Sequence, residues 1–383
     1  MYLLEVNGMR DSKKSTILAI NYMIKRKSLS NTGVLLLITI SLFVLLYLIS
    51  SIAFVGSNFA KYSVFFNLIN NKAYLLVLAL GLTLVLISGG IDISVGGVTG
   101  LVSMVIATML LDGQVSALWT MPAALGIGIA FGIVQGYLVA YMEIQPFIVT
   151  LSGMFFARGM ISVINAKSVP ITNQLFMSWS GAKVYIPFLY NERSNGTRDV
   201  AYLTPAAIIA IIILIVIIIM LKKTRFGRSL YAIGGSTQSA LLMGINVKKT
   251  KFMAHVLCGL LAGIGGFLYT LFAPSGNPGN GYGYEIDAIS SSVIGGVMLS
   301  GGVGLPIGTL FGVLFNSLIE RVVPMLGIVD ASWPRIITSG FLFVFIVLQS
   351  ILSGVSGKGG FALSLTKWGR LVNKDKAKFQ ELD

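Results

Sequence analysis

Between residues 222 and 251 the chain reads KKTRFGRSLYAIGGSTQSALLMGINVKKTK, a polar stretch set between two segments apolar enough to lie only in lipid. Seven of its residues are Lys or Arg, gathered at its two ends, the pattern of a loop kept on the cytoplasmic side, where positive charge is retained. Inside it, STQSALLM runs from Ser236 to Met243. The Ser236 hydroxyl suits an N-cap and Gly244 a C-terminal stop, so the spacing predicts a helix of about two turns with an apolar edge of Ala240, Leu241 and Met243. A helix that short needs a surface to rest on. That surface is either the chain's own membrane domain or a second protein.

The composition agrees with a membrane setting: 55% of the 383 residues are hydrophobic and 11% charged, against about 25% charged in a soluble domain. The formal charge of +14 is explained by position rather than by nucleic acid. Of 28 Lys and Arg, six precede Thr32, seven lie between Lys222 and Lys251, and six follow Ser353. All three clusters belong on one face, the cytoplasmic one. Cys258 and His255 are single representatives of their types, which excludes an intrachain disulfide, a Cys/His metal cluster and a His-based triad. The first apolar run, 33–54, is too long for the h-region of a cleaved signal and is expected to remain as an anchor. Met23 opens MIKRKSLSNTG, a more usual basic lead into a membrane helix than residues 1–22.

With about 20 helical residues needed per crossing, ten spans are expected: 33–54, 72–88, 93–111, 119–141, 146–166, 203–221, 252–273, 288–299, 305–322 and 335–352. Six crossings return the chain inside at Lys222 and four more leave the tail there, in agreement with the charge clusters. The expected organisation is a cytoplasmic tail (1–32), an all-α membrane domain (33–352) with an external loop at 167–202, and a basic cytoplasmic tail (353–383).

The spans at 72–88 and 288–299 are short and run into glycine pairs. LISGGIDISVGG from Leu86 and MLSGGVGLPIGT from Met298 align at a constant offset of 212, matching Ser88 with Ser300, Gly89 with Gly301, Gly90 with Gly302 and Gly96 with Gly308. Helices broken at matching places in two halves mark a transport pathway; the plainer reading is a tight turn between helices. Other glycines at helical spacing, Gly128, Gly132 and Gly136, Gly259 and Gly263, Gly308 and Gly312, are expected to let helices approach closely.

Ionisable groups within the apolar region are few, and such groups are functional candidates by default. Asp92, beside Ser94, is placed to cap a helix starting at Ile93; Arg158 lies mid-span and is expected to snorkel or pair with a carboxylate; Glu285 and Asp287 precede the helix entering the second glycine pair, where negative charge suits an N-terminus. With Gly89, Gly90, Gly301 and Gly302 they form the candidate pathway set. Their scarcity argues against a proton-coupled pump. It argues less against a sodium-coupled carrier, since carbonyls of broken helices can hold the ion. SGKGG at Ser356 lacks the spacing of a P-loop, so ATP is not hydrolysed by this chain, and no nucleophile and base pair supports an enzyme.

GGIDISVGG at Gly89, QPFIVTLSGMFFARG at Gln145, TRFGRSLYAIGGSTQSALLMGI at Thr224 and YEIDAISSSVIGGVMLSGGVGLPIGT at Tyr284 together resemble the permeases of bacterial simple-sugar ABC importers of the ribose, xylose and galactofuranose type, with the galactofuranose kind nearest. Ser236 stands where that pattern has Asn, and Ile93 where it has Leu. The resemblance implies a multi-pass protein of the bacterial inner membrane that moves a pentose or hexose. It implies a cytoplasmic ABC ATPase carrying ATP and Mg, an identical or paralogous second permease, and an extracytoplasmic sugar-binding protein. It makes the 236–243 helix a coupling helix, with Arg225, Phe226, Gly227, Ala232, Gly234, Ser236, Ala240, Gly244 and Ile245 as the ATPase-coupling residues. The alternatives are an ion-coupled carrier, or the same permease fold moving nucleosides or branched-chain amino acids.

Overall fold

The computed structural model describes residues 31–356 apart from 56–58, 60, 112, 114, 193–197, 329 and 331. Apart from residues 31–32 and 353–356, the two expected tails lie outside the described residues. At the centre stands α3 (Ala73–Ile87), AYLLVLALGLTLVLI, apolar round its whole circumference and buried at every position, as expected of a helix enclosed on all sides. Before it come α1 (Asn31–Ala53) and α2 (Tyr62–Asn71); after it come α4 (Val95–Leu111), α5 (Thr120–Ala140) and α6 (Pro146–Ile164). The second half comprises α7 (Gln174–Gly181), α8 (Pro205–Lys223), α9 (Arg225–Gly235), α10 (Thr237–Leu242), α11 (Val247–Phe272), α12 (Tyr284–Ile294), α13 (Pro306–Met325) and α14 (Ser332–Ser356).

The long helix α11 packs against α3, α4 and α5. At its crossing with α5 a Cβ on Gly132 would lie 2.7 Å from the His255 carbonyl oxygen and 2.8 Å from the Val256 Cα. Backbones this close gain dispersion contacts that lipid, itself apolar, cannot replace. The outer helices α1, α6, α8 and α14 turn large apolar side chains outward, among them Leu45, Phe155, Ile215 and Phe343, which a hydrocarbon surround accommodates.

Among the described residues seven helices are long and apolar enough to cross a membrane, and the pair α2 and α3, bent by 54°, adds an eighth. The sequence-based count of ten is not reached on that measure. α4 has 17 residues. α12 has 11 and at 1.5 Å per residue extends about 16 Å, half a hydrocarbon core. The span expected at 288–299 starts and stops earlier, because after Ile294 the chain unwinds at Gly295 and at Gly296, whose φ is +87°.

Among the described residues the helical expectation holds for the apolar part, but four strands stand at one end of the bundle. β2 (Val184–Glu192) and β3 (Arg198–Leu203) form an antiparallel hairpin, tied to α2 where Asn70 Nδ2 donates to the Tyr202 carbonyl at 2.9 Å and Asn70 Oδ1 accepts from the Thr204 amide at 2.9 Å. β1 (Val169–Pro170) pairs with β4 (Ser275–Gly276), joining two loops more than a hundred residues apart.

Candidate functional site: a glycine junction beneath a surface helix

The loop at 222–251 folds as two helices where the sequence signalled one. Thr224 caps α9, its hydroxyl accepting from the Gly227 amide at 3.1 Å; Arg225 and Phe226 open the helix, and Gly227 lies against the backbone of Met220 and Leu221. The missed signal was there: a Thr cap followed by Phe226, Leu230 and Ile233 at helical spacing, with Leu230 and Ile233 buried. Ser236 then caps α10, accepting from the Ser239 amide at 3.2 Å, a task a serine performs as an asparagine would. Gly244 ends the motif in left-handed backbone, φ +75°.

α10 differs from expectation in which side chains it shows. Ala240 is fully buried against Ile233 and Val247, with Ala232 and Ile245 packed beside them. The exposed edge is instead Leu241, Leu242 and Met243, at 58%, 85% and 66% exposure. So α10 rests on its own chain through the small residue and turns three large apolar ones away from it. Close by, Lys248 Nζ lies 2.9 Å from Glu143 Oε1. The hydrogen bond and charge of Lys248 hold the Glu143 carboxyl below its ordinary range. Both groups are exposed, so the pair is of small consequence to stability.

Gly89 of the first glycine pair meets Gly301 of the second, and α9 meets both breaks, while Gly90 faces Val85 and His255 instead. The Gly302 amide donates to the Ile87 carbonyl at 2.9 Å. A Cβ on Gly301 would fall 2.8 Å from the Gly89 Cα and 3.1 Å from the Gly234 Cα, and one on Gly302 would fall 2.7 Å from the Gly235 nitrogen. A Cβ on Gly234 would run into both the Ile87 carbonyl and the Gly302 amide. Gly89 and Gly301 also have φ of +80° and +86°, a region L side chains rarely occupy. Tyr231 adds a tether that the sequence reading passed over, its hydroxyl donating to the Gly304 carbonyl at 2.7 Å. Three segments far apart in sequence thus touch backbone to backbone, and α10 follows one residue after Gly235.

The rest of the candidate pathway set does not gather at this junction. Asp92 is buried and its Oδ1 accepts from the Ser94 amide at 2.9 Å and hydroxyl at 2.7 Å. It closes a turn before α4, which begins at Val95 rather than Ile93. The Ser94 hydroxyl also lies 3.1 Å from Gln135 Oε1. Arg158, Glu285 and Asp287 lie at the opposite end of α12, with the loop residues that precede it. Glu285 and Asp287 stand in its first turn. Arg158 donates to the Asn280 and Gly281 carbonyls at 2.8 and 2.7 Å and lies 4.0 Å from Glu285 Oε2. It clamps the loop ahead of α12 to α6. Two charge-assisted bonds of this kind are each worth about 1.5–3 kcal/mol, so Arg158→Ala is expected to lower the thermal midpoint of the purified protein measurably. Arg158→Lys, which can reach only part of the fork, is expected to recover part of the loss.

A helical bundle with seven or eight candidate spans among the described residues, two helix ends unwound at glycines that α9 touches, and a small apolar protrusion carried on α9 and α11 has the make-up of a membrane transport subunit. The comparisons specify the family. Residues 64–349 match the family model described as branched-chain amino acid transport system / permease component. The inner membrane ABC transporter permease protein YjfF of Escherichia coli K12 is 38% identical over 82% of this chain and 91% of its own length. The fructose import permease protein FruG of Bifidobacterium longum is 35% identical over 75% and 82%, and the ribose import permease protein RbsC of Escherichia coli K12 is 34% identical over 80% and 92%. No solved structure matches the chain. The chain belongs to this family of ABC importer permeases: it is a membrane component, not an enzyme, and ATP is hydrolysed by a partner.

Proposed function

We propose that this permease carries a simple sugar, a pentose or hexose, inward across the bacterial plasma membrane, driven by a cytoplasmic ATPase that holds ATP and Mg. The motif resemblance favours galactofuranose within that class. Relatives named for ribose, fructose and galactose import support the cargo class. In this reading the chain crosses ten times, α4 and the half-length α12 each making one leg, and the end bearing Lys222 to Lys251 faces the cytoplasm with both termini. Two permeases, identical or paralogous, stand side by side. A sugar-binding protein outside delivers cargo to the loops around β1–β4 and the β2–β3 hairpin.

The observation that carries the mechanism is the seat of α10. Leu241, Leu242 and Met243 fill a hollow on the ATPase, while Gly234 behind them touches both glycine breaks. When the ATPase closes, α9 and α10 shift, and because backbone against backbone cannot compress, the ends of α3 and of the 295–305 segment shift with them. Cargo selectivity can then reside in the binding protein. Reconstitution tests the division of labour: with the ATPase, partner permease and binding protein, liposomes accumulate sugar on addition of ATP, whereas this chain alone accumulates none under a sodium or proton gradient. Gradient-driven accumulation by the chain alone would establish the ion-coupled carrier instead.

A further inference from the structure

At the end of the bundle opposite the glycine junction, α3, α12, α13 and α14 surround an open cavity of about 760 Å³. Lys72, Tyr74, Tyr284, Asp287, Glu320 and Arg335 line it. Lys72 Nζ lies 2.6 Å from Glu320 Oε1. The Tyr74 and Tyr284 rings stand 5.2 Å apart. Two cations stand among three carboxylates, the third being Asp330 at the rim, which accepts from the Ser332 amide at 2.8 Å. Such a site has donors, acceptors and aromatic faces with one carboxylate in excess, the chemistry that suits a neutral polyhydroxylated ring and disfavours an anion.

A second observation lies deeper. Residues four apart on a helix stand one above the other, which puts Ser291 one turn inward from Asp287 and Asn316 one turn inward from Glu320. The Ser291 hydroxyl and both amide atoms of Asn316 are buried without a hydrogen-bond partner. A buried amide left unpaired costs about 1–3 kcal/mol, and packing alone gives no reason to keep it. Further inward, Thr83 Oγ1 lies 2.9 Å from Thr309 Oγ1 and 3.2 Å from Ser292 Oγ, so polar groups continue along the seam of α3, α12 and α13 toward the glycine junction.

We infer that this cavity is a low-affinity binding vestibule for the neutral sugar, and that Asn316 and Ser291 offer hydrogen bonds to it at the next step inward. This rests on the sugar-permease reading above. Two experiments on the assembled transporter test it, with D-ribose, D-xylose, D-fructose and D-galactose as probes. Ser332→Cys places a thiol on the cavity wall, and Cys258, fully buried, leaves this chain without another accessible thiol, so labelling is read on its own band. A membrane-impermeant maleimide is expected to label it from outside, more slowly in the presence of the sugar that is taken up, with no slowing by ribose 5-phosphate. In the second, Asn316→Leu is expected to leave the thermal midpoint unchanged or higher, since it removes unpaired polar atoms, yet to lower uptake by about tenfold.

Uptake of a probe sugar without any effect on labelling, or equal protection by the phosphate ester, overturns the vestibule alone. So does normal uptake by Asn316→Leu. If the assembled transporter takes up none of the four sugars and no galactofuranoside either, both this inference and the cargo class fail.

Discussion

Gly234→Val is expected to lower sugar uptake by about a hundredfold while the chain still inserts in the membrane and still binds its ATPase. The first new carbon would meet the Ile87 carbonyl and the Gly302 amide, which are main-chain atoms of the two breaks and cannot rotate away. Overpacking of this kind costs about 1–3 kcal/mol, and each 1.4 kcal/mol is tenfold in an equilibrium, so relief comes by lifting α9 off the breaks. The exposed face of α10 is untouched, so co-purification with the ATPase persists. Gly235→Ala is the control: a Cβ there meets nothing within 4 Å, and uptake is expected to stay near normal although the substitution is one residue away. Normal uptake by Gly234→Val, or equal losses in both variants, would count against a mechanical role for the junction.

Leu242→Asp should give the complementary result. Its side chain is 85% exposed and contributes nothing to the chain's own core, so thermal stability and membrane abundance are expected to match the parent. If the ATPase takes this edge as an apolar anchor, as proposed, burying a carboxylate there costs at least about 2 kcal/mol, a weakening of roughly thirtyfold or more. Both co-purification of the ATPase and ATP-driven uptake are expected to fall together. Substituting Ala240 cannot make this point, because Ala240 packs inside the chain against Ile233 and Val247 and a bulky residue there would dislodge α10 itself. Retained ATPase binding by Leu242→Asp would remove the proposed role of α10.

The pair of predictions separates what was readable in the sequence from what was not. The Ser236 cap was read, because its hydroxyl bonds an amide only three residues on, and the Thr224 cap, with the same spacing, was a local signal that the reading passed over. The enclosure of α3 was readable in part, since an unbroken apolar run has no polar face to give to water. The side of α10 that would face outward was not. Its six residues contain too few turns for a period to choose between Ala240 and Leu242, and only packing against α9 and α11 decides. Arg158 was visible as a costly charge, but its partners Asn280 and Gly281 lie about 120 residues away and are backbone oxygens, which leave no mark in side-chain identity. The vestibule was invisible for the same reason: Lys72, Asp287, Glu320 and Arg335 belong to four separate segments.

Sequence by itself therefore determined the class of molecule, its membrane setting and the repeat at an offset of 212, because hydropathy, charge placement and short-range capping act between near neighbours. Tertiary structure alone decided that Gly89, Gly301, Gly302 and Gly234 share one contact, that α12 stops at Ile294, and which apolar edge α10 presents. The first outcome depends on backbones meeting across about two hundred residues, where glycine, which permits the approach, carries no side chain to announce its partner; the last depends on how Ala240 packs on Ile233 and Val247, which a six-residue helix is too short to signal.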